Sequence, residues 1–322
     1  MQSPPPPELK ISPPLLNSAN PWCTALDDLR QLHACPHTGA LTTRTSLLAG
    51  FAHNDASHQY AFFDPSTAKP SAAPNSSTPE APRSQLGPAD VASLNNLGYS
   101  PLPLQTYLDF ISQLPEGHGH HGHHRRKLII ISVTGTPSEI AQSYALIASF
   151  SSKTTHPLAM EINLSCPNIA AAAPPASDRA QLLAYLAALP RDPPSSPSAS
   201  RRRPMLKVPC KISFITAVNT LGSCLLLEGG DHNPRLPGSG LGGMAGAPLH
   251  PLALGNVKTI AELVAREPEL LHIKVIGVGG VSDADGFRRM KSVGAYAVAV
   301  GTALGREGIE VFEKIAAGLE KH

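Results

Sequence analysis

Charged residues are scarce in this chain of 322 residues, where they make up 16% of the sequence and leave a formal net charge of +2. A charge balance this close to zero gives no reason to expect a nucleic-acid partner. The basic triplet at 201–203 has no aromatic residues interleaved with it. We therefore interpret it as part of an exposed linker rather than as a nucleic-acid patch.

Cysteine is also rare, and the five cysteines are unevenly spaced, which favours reduced thiols in a cytosolic protein over a disulfide framework. Their spacing matches no metal site. No apolar run approaches the roughly 18 residues that a membrane span needs. The first ten residues have neither the apolar core of a signal peptide nor the arginines of a transit sequence. We expect a cytoplasmic protein with no membrane partner and no bound metal.

Hydrophobic residues, at 42%, are plentiful enough for a real core. The 33 prolines and 26 glycines exceed ordinary usage, but the prolines cluster in a few segments. This distribution predicts one folded domain, residues 1–322, that carries low-complexity insertions. We expect residues 1–14 to be disordered and three segments to be loop insertions: 64–89, 117–125 and 191–204. Five histidines between His118 and His124 could ligate a metal, but we interpret them as part of a polar loop.

Eight β-prone runs alternate with helical patterns along the chain, which predicts parallel strands joined by helices. Eight such units in about 300 residues favour a (β/α)8 TIM barrel. A glycine-rich loop at 238–246 precedes one of the helices. The eight runs are GALTTRT (39–45), VASLN (91–95), KLIIISV (127–133), LAMEINL (158–164), PMLKV (204–208), ISFITAVNT (212–220), IKVIGVGGV (273–281) and AYAVAVGTAL (295–304).

The interval between Lys207 and Ser213 is too short for this scheme, because a parallel crossover with its helix needs at least about ten to twelve residues. Three explanations are open. Strands five and six are joined abnormally, or PMLKV is not a strand, or a segment has been lost through a gene-model error or a real deletion.

Residues 160–168, MEINLSCPN, read as a strand that runs into a turn, with the thiol of Cys166 between Asn163 and Asn168. An amide side chain offers donors and an acceptor without charge, which suits a flat heterocycle edged with N–H and C=O groups. A lone cysteine is more often a buried structural thiol. Here the flanking asparagines favour a reactive one.

The last two strands end in glycine turns, Gly279-Gly280 and Gly301-Thr302, each ahead of a helix. Such turns expose backbone N–H groups and predict a phosphate site. The glycines at 242 and 243 add to this signal. Polar residues close the other runs: Arg44, Asn95, Lys207, and Asn219 with Thr220.

Several segments together resemble the dihydroorotate dehydrogenase family, in particular its soluble, fumarate-using class 1A. They are SLNNLGYSP, EINLSCPN, FITAVNTLGS, GLGGMAGAPLHPLAL and VIGVGGVSDADGFRRMKSVGAYAVAVGTAL. The resemblance runs from about residue 15 to residue 318. It implies an FMN-dependent oxidoreductase of pyrimidine synthesis that oxidises dihydroorotate to orotate, uses fumarate as acceptor and is a homodimer.

The resemblance also implies roles for individual residues. Cys166 would be the base that removes a proton from C5 of dihydroorotate while hydride leaves C6 for the flavin. Substrate contacts would come from Asn95, Leu97, Gly98, Asn163, Asn168, Asn219 and Thr220. Contacts to FMN would come from Ala19, Arg44, Lys207, Gly243, Gly279, Gly280, Gly301 and Thr302. For Lys207, a solvated lysine beside the basic triplet is the alternative.

Three positions depart from the family pattern. Arg44 stands where lysine is common, which keeps the charge but changes the geometry. Asn20 replaces a glycine that approaches the flavin. The helix expected after Lys207 is missing. The alternatives are therefore a related FMN oxidoreductase with another pyrimidine or acceptor, or an inactive paralogue that still binds flavin.

Overall fold

The computed structural model describes residues 8–77, 83–116, 126–165, 174–189 and 212–321. The strands of these residues are β1 (Leu15–Asn17), β2 (Ala40–Thr42), β3 (Tyr60–Asp64), β4 (Lys69–Pro70), β5 (Ala92–Asn95), β6 (Leu128–Val133), β7 (Leu158–Ile162), β8 (Phe214–Ala217), β9 (Leu221–Leu225), β10 (Leu241–Gly246), β11 (Lys274–Val278) and β12 (Ala297–Val300). The α-helices are α1 (Leu26–Ala34), α2 (Leu104–Ser112), α3 (Pro137–Ser151), α4 (Arg179–Ala188), α5 (His250–Arg266), α6 (Ala284–Ser292), α7 (Thr302–Glu307) and α8 (Glu310–Glu320).

Seven of these strands form the barrel part of the molecule, in two parallel sheets. One sheet has the order β1-β12-β11-β8 and the other has the order β2-β6-β7. Parallel strands with intervening helices are the pattern of a (β/α)8 barrel, so the predicted fold class is confirmed.

The two parallel sheets meet where β1 approaches β2, and the side chain of Asn17 joins them there. Its Nδ2 donates to the carbonyl oxygen of Thr42 at 2.6 Å, and its Oδ1 accepts from the Thr42 amide at 2.9 Å. Asn17 is fully buried. A side-chain amide, which has the same donor and acceptor as a peptide group, therefore takes the place of a backbone ladder.

Side chains alternate along the barrel strands between two apolar clusters. Leu16, Ala40, Ile130, Ile276 and Ala297 belong to one buried cluster. Their chain neighbours, such as Leu15, Leu41, Ile129, Val275 and Val298, belong to a second cluster that includes residues of the helices. Because side chains of a strand point to opposite faces in turn, the first cluster is the barrel interior and the second is the layer between strands and helices.

An antiparallel sheet with the order β4-β3-β5-β10-β9 lies beside the barrel. Its strand β5 contains most of VASLN, which the sequence analysis assigned to the barrel, and that assignment is wrong. The run at 238–246, which was expected to be a loop, contains strand β10. Its glycines allow close packing, since a Cβ atom at Gly242 would lie 2.6 Å from the carbonyl oxygen of Asn95.

The place of VASLN in the barrel is taken by β1, which pairs in parallel with β12. This strand is only three residues long and follows a proline-rich stretch, so its pattern is too short to show a period. The exchange of VASLN for β1 leaves the expected number of eight barrel strands unchanged, and seven of the eight lie within the described residues. Residues 204–208, the predicted fifth strand, lie outside the described residues, as does most of the short interval after Lys207.

Residues 1–14 were expected to be disordered, but the part of this segment from residue 8 onward is ordered. Leu9 and Ile11 are 5% and 4% exposed and pack in the barrel-interior cluster. Burial of two large aliphatic side chains is a sufficient physical reason for order. The segment 64–89 includes β4 and a short 3₁₀ helix, Arg83–Gln85. The segments 117–125 and 191–204, with the histidine-rich run, lie outside the described residues.

Two helix starts show ordinary capping chemistry. Thr136 and Glu139 form a capping box at the start of α3, and Asp283 caps α6 by accepting from the Gly286 amide at 2.7 Å. Among the described helices, none combines the length and apolar character that crossing a bilayer would require.

We expect Asn17→Ala to lower the free energy of unfolding, because it leaves the Thr42 backbone without the two hydrogen bonds that join the sheets. The cost is about 1–3 kcal/mol for each buried group that loses its partner. Chemical denaturation monitored by circular dichroism measures it. The control Asn256→Ala, on the exposed face of α5, should stay within about 0.5 kcal/mol of the parent. Equal stability of Asn17→Ala and the parent would contradict this role.

Candidate active site

A cavity of about 1100 Å³ lies along the barrel and includes the carboxyl ends of its parallel strands, the place where barrels of this type carry their ligand sites. Twelve of the sequence-predicted site residues line it. They are Ala19, Arg44, Asn95, Leu97, Gly98, Asn163, Asn219, Thr220, Gly279, Gly280, Gly301 and Thr302. Residues far apart in the chain are thus brought to one site.

Four predicted site residues are not among those lining residues. Cys166, Asn168 and Lys207 lie outside the described residues. Gly243 lies on β10, where its carbonyl oxygen accepts from Nδ2 of Asn95 at 3.2 Å. The glycine of this strand that does line the cavity is Gly246, at the end of β10.

Glycine turns from three strand ends meet at one side of the cavity. Gly246, Gly279 and Gly280 have φ angles of 88°, 136° and 69°, a region that favours glycine. A Cβ atom on Gly280 would lie 2.9 Å from the carbonyl oxygen of Gly246, and one on Gly301 would lie 3.1 Å from Oγ of Ser18. The absence of side chains leaves the backbone of these turns accessible to a ligand.

His250, at the start of α5, supports one of these turns, and the sequence analysis missed it. Its Nδ1 lies 2.7 Å from the carbonyl oxygen of Gly279, and Nε of Arg289 donates to its Nε2 at 3.1 Å. Because Nε2 accepts from Arg289, Nδ1 must carry the proton and donate to Gly279. The imidazole is thereby fixed in one tautomer beneath the turn.

Arg44 is a buried cation at the cavity wall. It is 5% exposed, and its guanidinium donates to Oγ1 of Thr24 at 3.4 Å and to the carbonyl oxygen of Tyr99 at 3.2 Å. Burial lowers its pKa, yet among the described residues no carboxylate pairs with it. A buried cation held only by neutral oxygens suits an electron-rich or anionic ligand.

The amide groups at the ends of β7 and β8 are hydrogen-bonded to each other. Asn219 Nδ2 donates to Oδ1 of Asn163 at 3.2 Å and to Oγ of Ser165 at 3.3 Å. The Thr220 amide donates to Oδ1 of Asn219 at 2.7 Å, which fixes the orientation of that amide. Asn163 and Asn219 therefore form one recognition surface with defined donors and acceptors.

A layer of polar side chains, also missed from the sequence, lies one level deeper in the barrel. Glu161 is half-buried at the cavity wall and accepts from Oγ of Ser132 at 2.9 Å and from Oγ1 of Thr216 at 2.7 Å. Burial raises the pKa of Glu161, and these two hydroxyls oppose that effect. A carboxyl group in the middle of an otherwise apolar strand was the available signal.

On the opposite wall, the loop after β5 requires a small residue. Gly98 has a φ of 67°, and a Cβ atom there would lie 2.6 Å from the ring of Phe51. Leu97 is 2% exposed and its side chain is packed in the core, so a ligand would contact its backbone groups. Asn95 is the last residue of β5 and pairs with Tyr60 and Gly243 in the antiparallel sheet.

Asn20, which replaces a family glycine, is accommodated locally. Its Oδ1 accepts from the Trp22 amide and its Nδ2 donates to the carbonyl oxygen of Ser18, both at 2.8 Å. Its φ of −156° is ordinary extended backbone, so the position does not demand glycine. The residue still lines the cavity next to Ala19.

Together the fold and the cavity define an α/β barrel with a ligand site at the carboxyl ends of its parallel strands. Residues 193–322 match the sequence model of a family described as "Dihydroorotate dehydrogenase". The "Dihydroorotate dehydrogenase (fumarate)" of Trypanosoma cruzi is 27% identical over 322 residues, covering 94% of this chain and 87% of that protein.

Two streptococcal proteins whose names include "dihydroorotate dehydrogenase A (fumarate)" are also similar. The Streptococcus uberis protein is 25% identical and covers 95% of this chain and 88% of its own length. The Streptococcus pyogenes serotype M5 protein is 29% identical and covers 75% of this chain and 76% of its own length. The chain is therefore similar to dihydroorotate dehydrogenases over most of its length, which supports the resemblance predicted from the sequence.

Proposed function

We propose that this protein oxidises dihydroorotate to orotate with FMN as cofactor and fumarate as final acceptor, in cytoplasmic pyrimidine synthesis. The observation that carries the proposal is the meeting of Asn95, Asn163 and Asn219 with the glycine turns at one cavity, in a chain similar to dihydroorotate dehydrogenases. The cytoplasmic location is supported by free thiols at Cys23 and Cys35.

The cavity fits a flavin mononucleotide in three respects. Its volume of about 1100 Å³ is at the upper end of the range for small-molecule sites. The Gly279-Gly280 and Gly301-Thr302 turns offer backbone groups to a phosphate. Arg44 offers a buried positive charge without a carboxylate partner among the described residues. We propose that these residues hold FMN together with Ala19 and Lys207. Gly243 was expected to join them, but the glycine of β10 that lines the cavity is Gly246.

The substrate would be held by the amide surface. Dihydroorotate has ring N–H and C=O groups, and Asn163 and Asn219 provide both donors and acceptors. Asn95 and the backbone of Leu97 and Gly98 face the same cavity from the antiparallel sheet. We propose that Asn168 and Thr220 complete the set.

Cys166 would take the proton from C5 of dihydroorotate. The base must be a thiolate for this step, and an unperturbed thiol titrates near pH 8.5, so that a modest shift suffices near neutral pH. FMN held by these residues would supply the acceptor for the hydride from C6 and the route for the electron pair to fumarate. We propose that Asn163 and Asn219 orient the ring for this proton transfer.

Two other functions are compatible with the same cavity and the same residues. A related FMN oxidoreductase would use another pyrimidine or another acceptor at the same site. An inactive flavin-binding paralogue is favoured by the short interval between Lys207 and Ser213, which leaves little room for a crossover helix.

The purified protein is expected to hold FMN, to lose its flavin absorbance when dihydroorotate is added without oxygen, and to regain it with fumarate. Absorbance spectra recorded anaerobically measure each step. Uracil and dihydrouracil serve as controls for other pyrimidines. A protein that stays inert with added FMN and dihydroorotate would contradict the proposed enzyme, and restoration by another acceptor only would contradict the role of fumarate.

Cys166→Ala is expected to retain FMN and to lose flavin reduction at neutral pH, because no base remains to take the C5 proton. Stopped-flow absorbance measures the reduction rate, and the flavin content of the purified variant measures binding. The matched control is Cys224→Ala, since Cys224 lies on β9 and is not among the cavity-lining residues. Reduction of Cys166→Ala at the parent rate would contradict the role of the thiol.

We also propose a homodimer, with its contact on β9 and β10. Leu221, Leu225 and Leu241 are 43%, 49% and 47% exposed there, and Leu225 lies opposite Leu241 in the ladder. Light scattering should give twice the chain mass of 33.8 kDa. Leu225→Lys should shift the protein toward monomer, whereas the control Leu271→Lys, at another exposed leucine, should not. A parent protein that is monomeric at micromolar concentration would exclude the dimer.

A further inference from the structure

Asn163 is connected to Glu161 by a chain of side-chain hydrogen bonds that passes through Thr45 and Ser132. Nδ2 of Asn163 donates to Oγ1 of Thr45 at 3.2 Å, and Oγ1 of Thr45 lies 2.9 Å from Oγ of Ser132. Oγ of Ser132 donates to Oε1 of Glu161 at 2.9 Å. The chain thus joins an amide at the cavity to a carboxyl group one level deeper.

The direction of the protons along this chain follows from its last member. Ser132 has one hydroxyl proton and gives it to Glu161, so Oγ of Ser132 must accept from Thr45. Oγ1 of Thr45 then has its own proton committed and must accept from Nδ2 of Asn163. Ser132 is fully buried and Thr45 is 5% exposed, so neither hydroxyl has ready access to water as a substitute partner.

The other side of the Asn163 amide is fixed as well. Its Oδ1 accepts from Nδ2 of Asn219 at 3.2 Å and from the Ser165 amide at 3.3 Å. With Oδ1 held by two donors and Nδ2 held by Thr45, the amide has one orientation in which every partner is satisfied.

We propose that Glu161 is a positioning residue that, through Ser132 and Thr45, fixes the amide orientation with which Asn163 meets the pyrimidine ring. This inference rests on the proposed function, since it takes Asn163 to be a substrate contact. Nothing in the proposed chemistry requires Glu161 to touch substrate or flavin. Its role is that of the last acceptor in the chain.

This role needs an acceptor and does not need a charge. A protonated carboxyl group can donate to Thr216 through one oxygen and still accept from Ser132 through the other. Thr216 lies at 2.7 Å from Oε2 and is placed to take such a proton. Burial, which raises the pKa of Glu161, therefore leaves the chain to Asn163 intact.

Substitutions at Glu161 can test whether its side chain acts as a hydrogen-bond acceptor or only fills space. Glu161→Gln keeps an oxygen for Ser132, whereas Glu161→Met has similar length but no strong acceptor. Ser132→Ala cuts the chain with the loss of a single oxygen. We expect Glu161→Met and Ser132→Ala to weaken orotate binding about tenfold or more, and Glu161→Gln to stay within about threefold of the parent.

Orotate titrated into the FMN-loaded protein, followed by the change in flavin absorbance, measures the affinity. Thermal unfolding of the same samples measures stability. Combining Glu161→Met with Ser132→Ala should cost no more than the larger single effect, because both remove the same connection. In turnover, KM for dihydroorotate should rise in Glu161→Met and Ser132→Ala with FMN content unchanged. Glu262→Gln, an exposed carboxyl group on α5, is the isosteric control.

Two contrary results are distinguishable. If the parent binds orotate and Glu161→Met and Ser132→Ala bind it within about threefold, with only their unfolding temperatures lowered, Glu161 is structural and the inference is wrong. If the parent holds FMN but does not bind orotate, the proposed function fails, and the positioning role fails with it. Should Glu161→Met not fold, Ser132→Ala and Glu161→Gln still decide between these results.

Discussion

The structure depends on the alternation of side chains along the barrel strands, which sends every second residue into the interior. On β7 this places Ala159, Glu161 and Asn163 on the same face at successive levels. All three line the cavity: Ala159 packs against the apolar interior cluster, Glu161 accepts hydrogen bonds from hydroxyls, and Asn163 lies at the carboxyl end of the strand. The alternation of one strand thus provides an apolar residue at the base, a carboxyl group bonded to hydroxyls in the middle and an amide at the carboxyl end. A buried carboxyl group is tolerated there because both of its oxygens have partners.

The antiparallel sheet supplies the wall opposite these amides, and its position depends on contacts made by Trp22. The indole stacks on Phe62 with ring centroids 5.9 Å apart and meets Tyr60 edge-on at 5.4 Å. On its other side it lies where a Cβ atom at Gly305 would be, within 2.1 Å. One aromatic side chain therefore packs against both β3 and the helix after the last barrel strand. By contacting both elements, Trp22 fixes the distance between β3 and α7, and the shape of the cavity depends on that distance.

Much of the fold was predictable because its signals are local. The buried runs of β6, β11 and β12 and the capping residues Thr136 and Asp283 each specify structure within a few positions. The errors concern strands for which the local pattern is silent about the partner. VASLN and the Leu15–Asn17 run are both short and apolar, and a sheet strand differs from a barrel strand in its pairing, which is with β3 and β10 for VASLN and with β12 for Leu15–Asn17. These pairings join residues from about 30 to nearly 300 positions apart, so no local window of the sequence contains them.

The predicted site residues resemble the predicted helices in one respect. Each stands in a short sequence motif, so its signal is local. Glu161 and His250 do not, because each acts through another residue: Glu161 through Ser132, and His250 through the carbonyl oxygen of Gly279. Their chemistry becomes apparent only when strands and turns from separate parts of the chain are placed side by side. A carboxyl group in an otherwise apolar strand and a histidine before a proline are visible in the sequence, but their partners are not. Motifs therefore identify residues that line the cavity better than residues that hold them in place, and the second group has to be found from hydrogen-bond geometry.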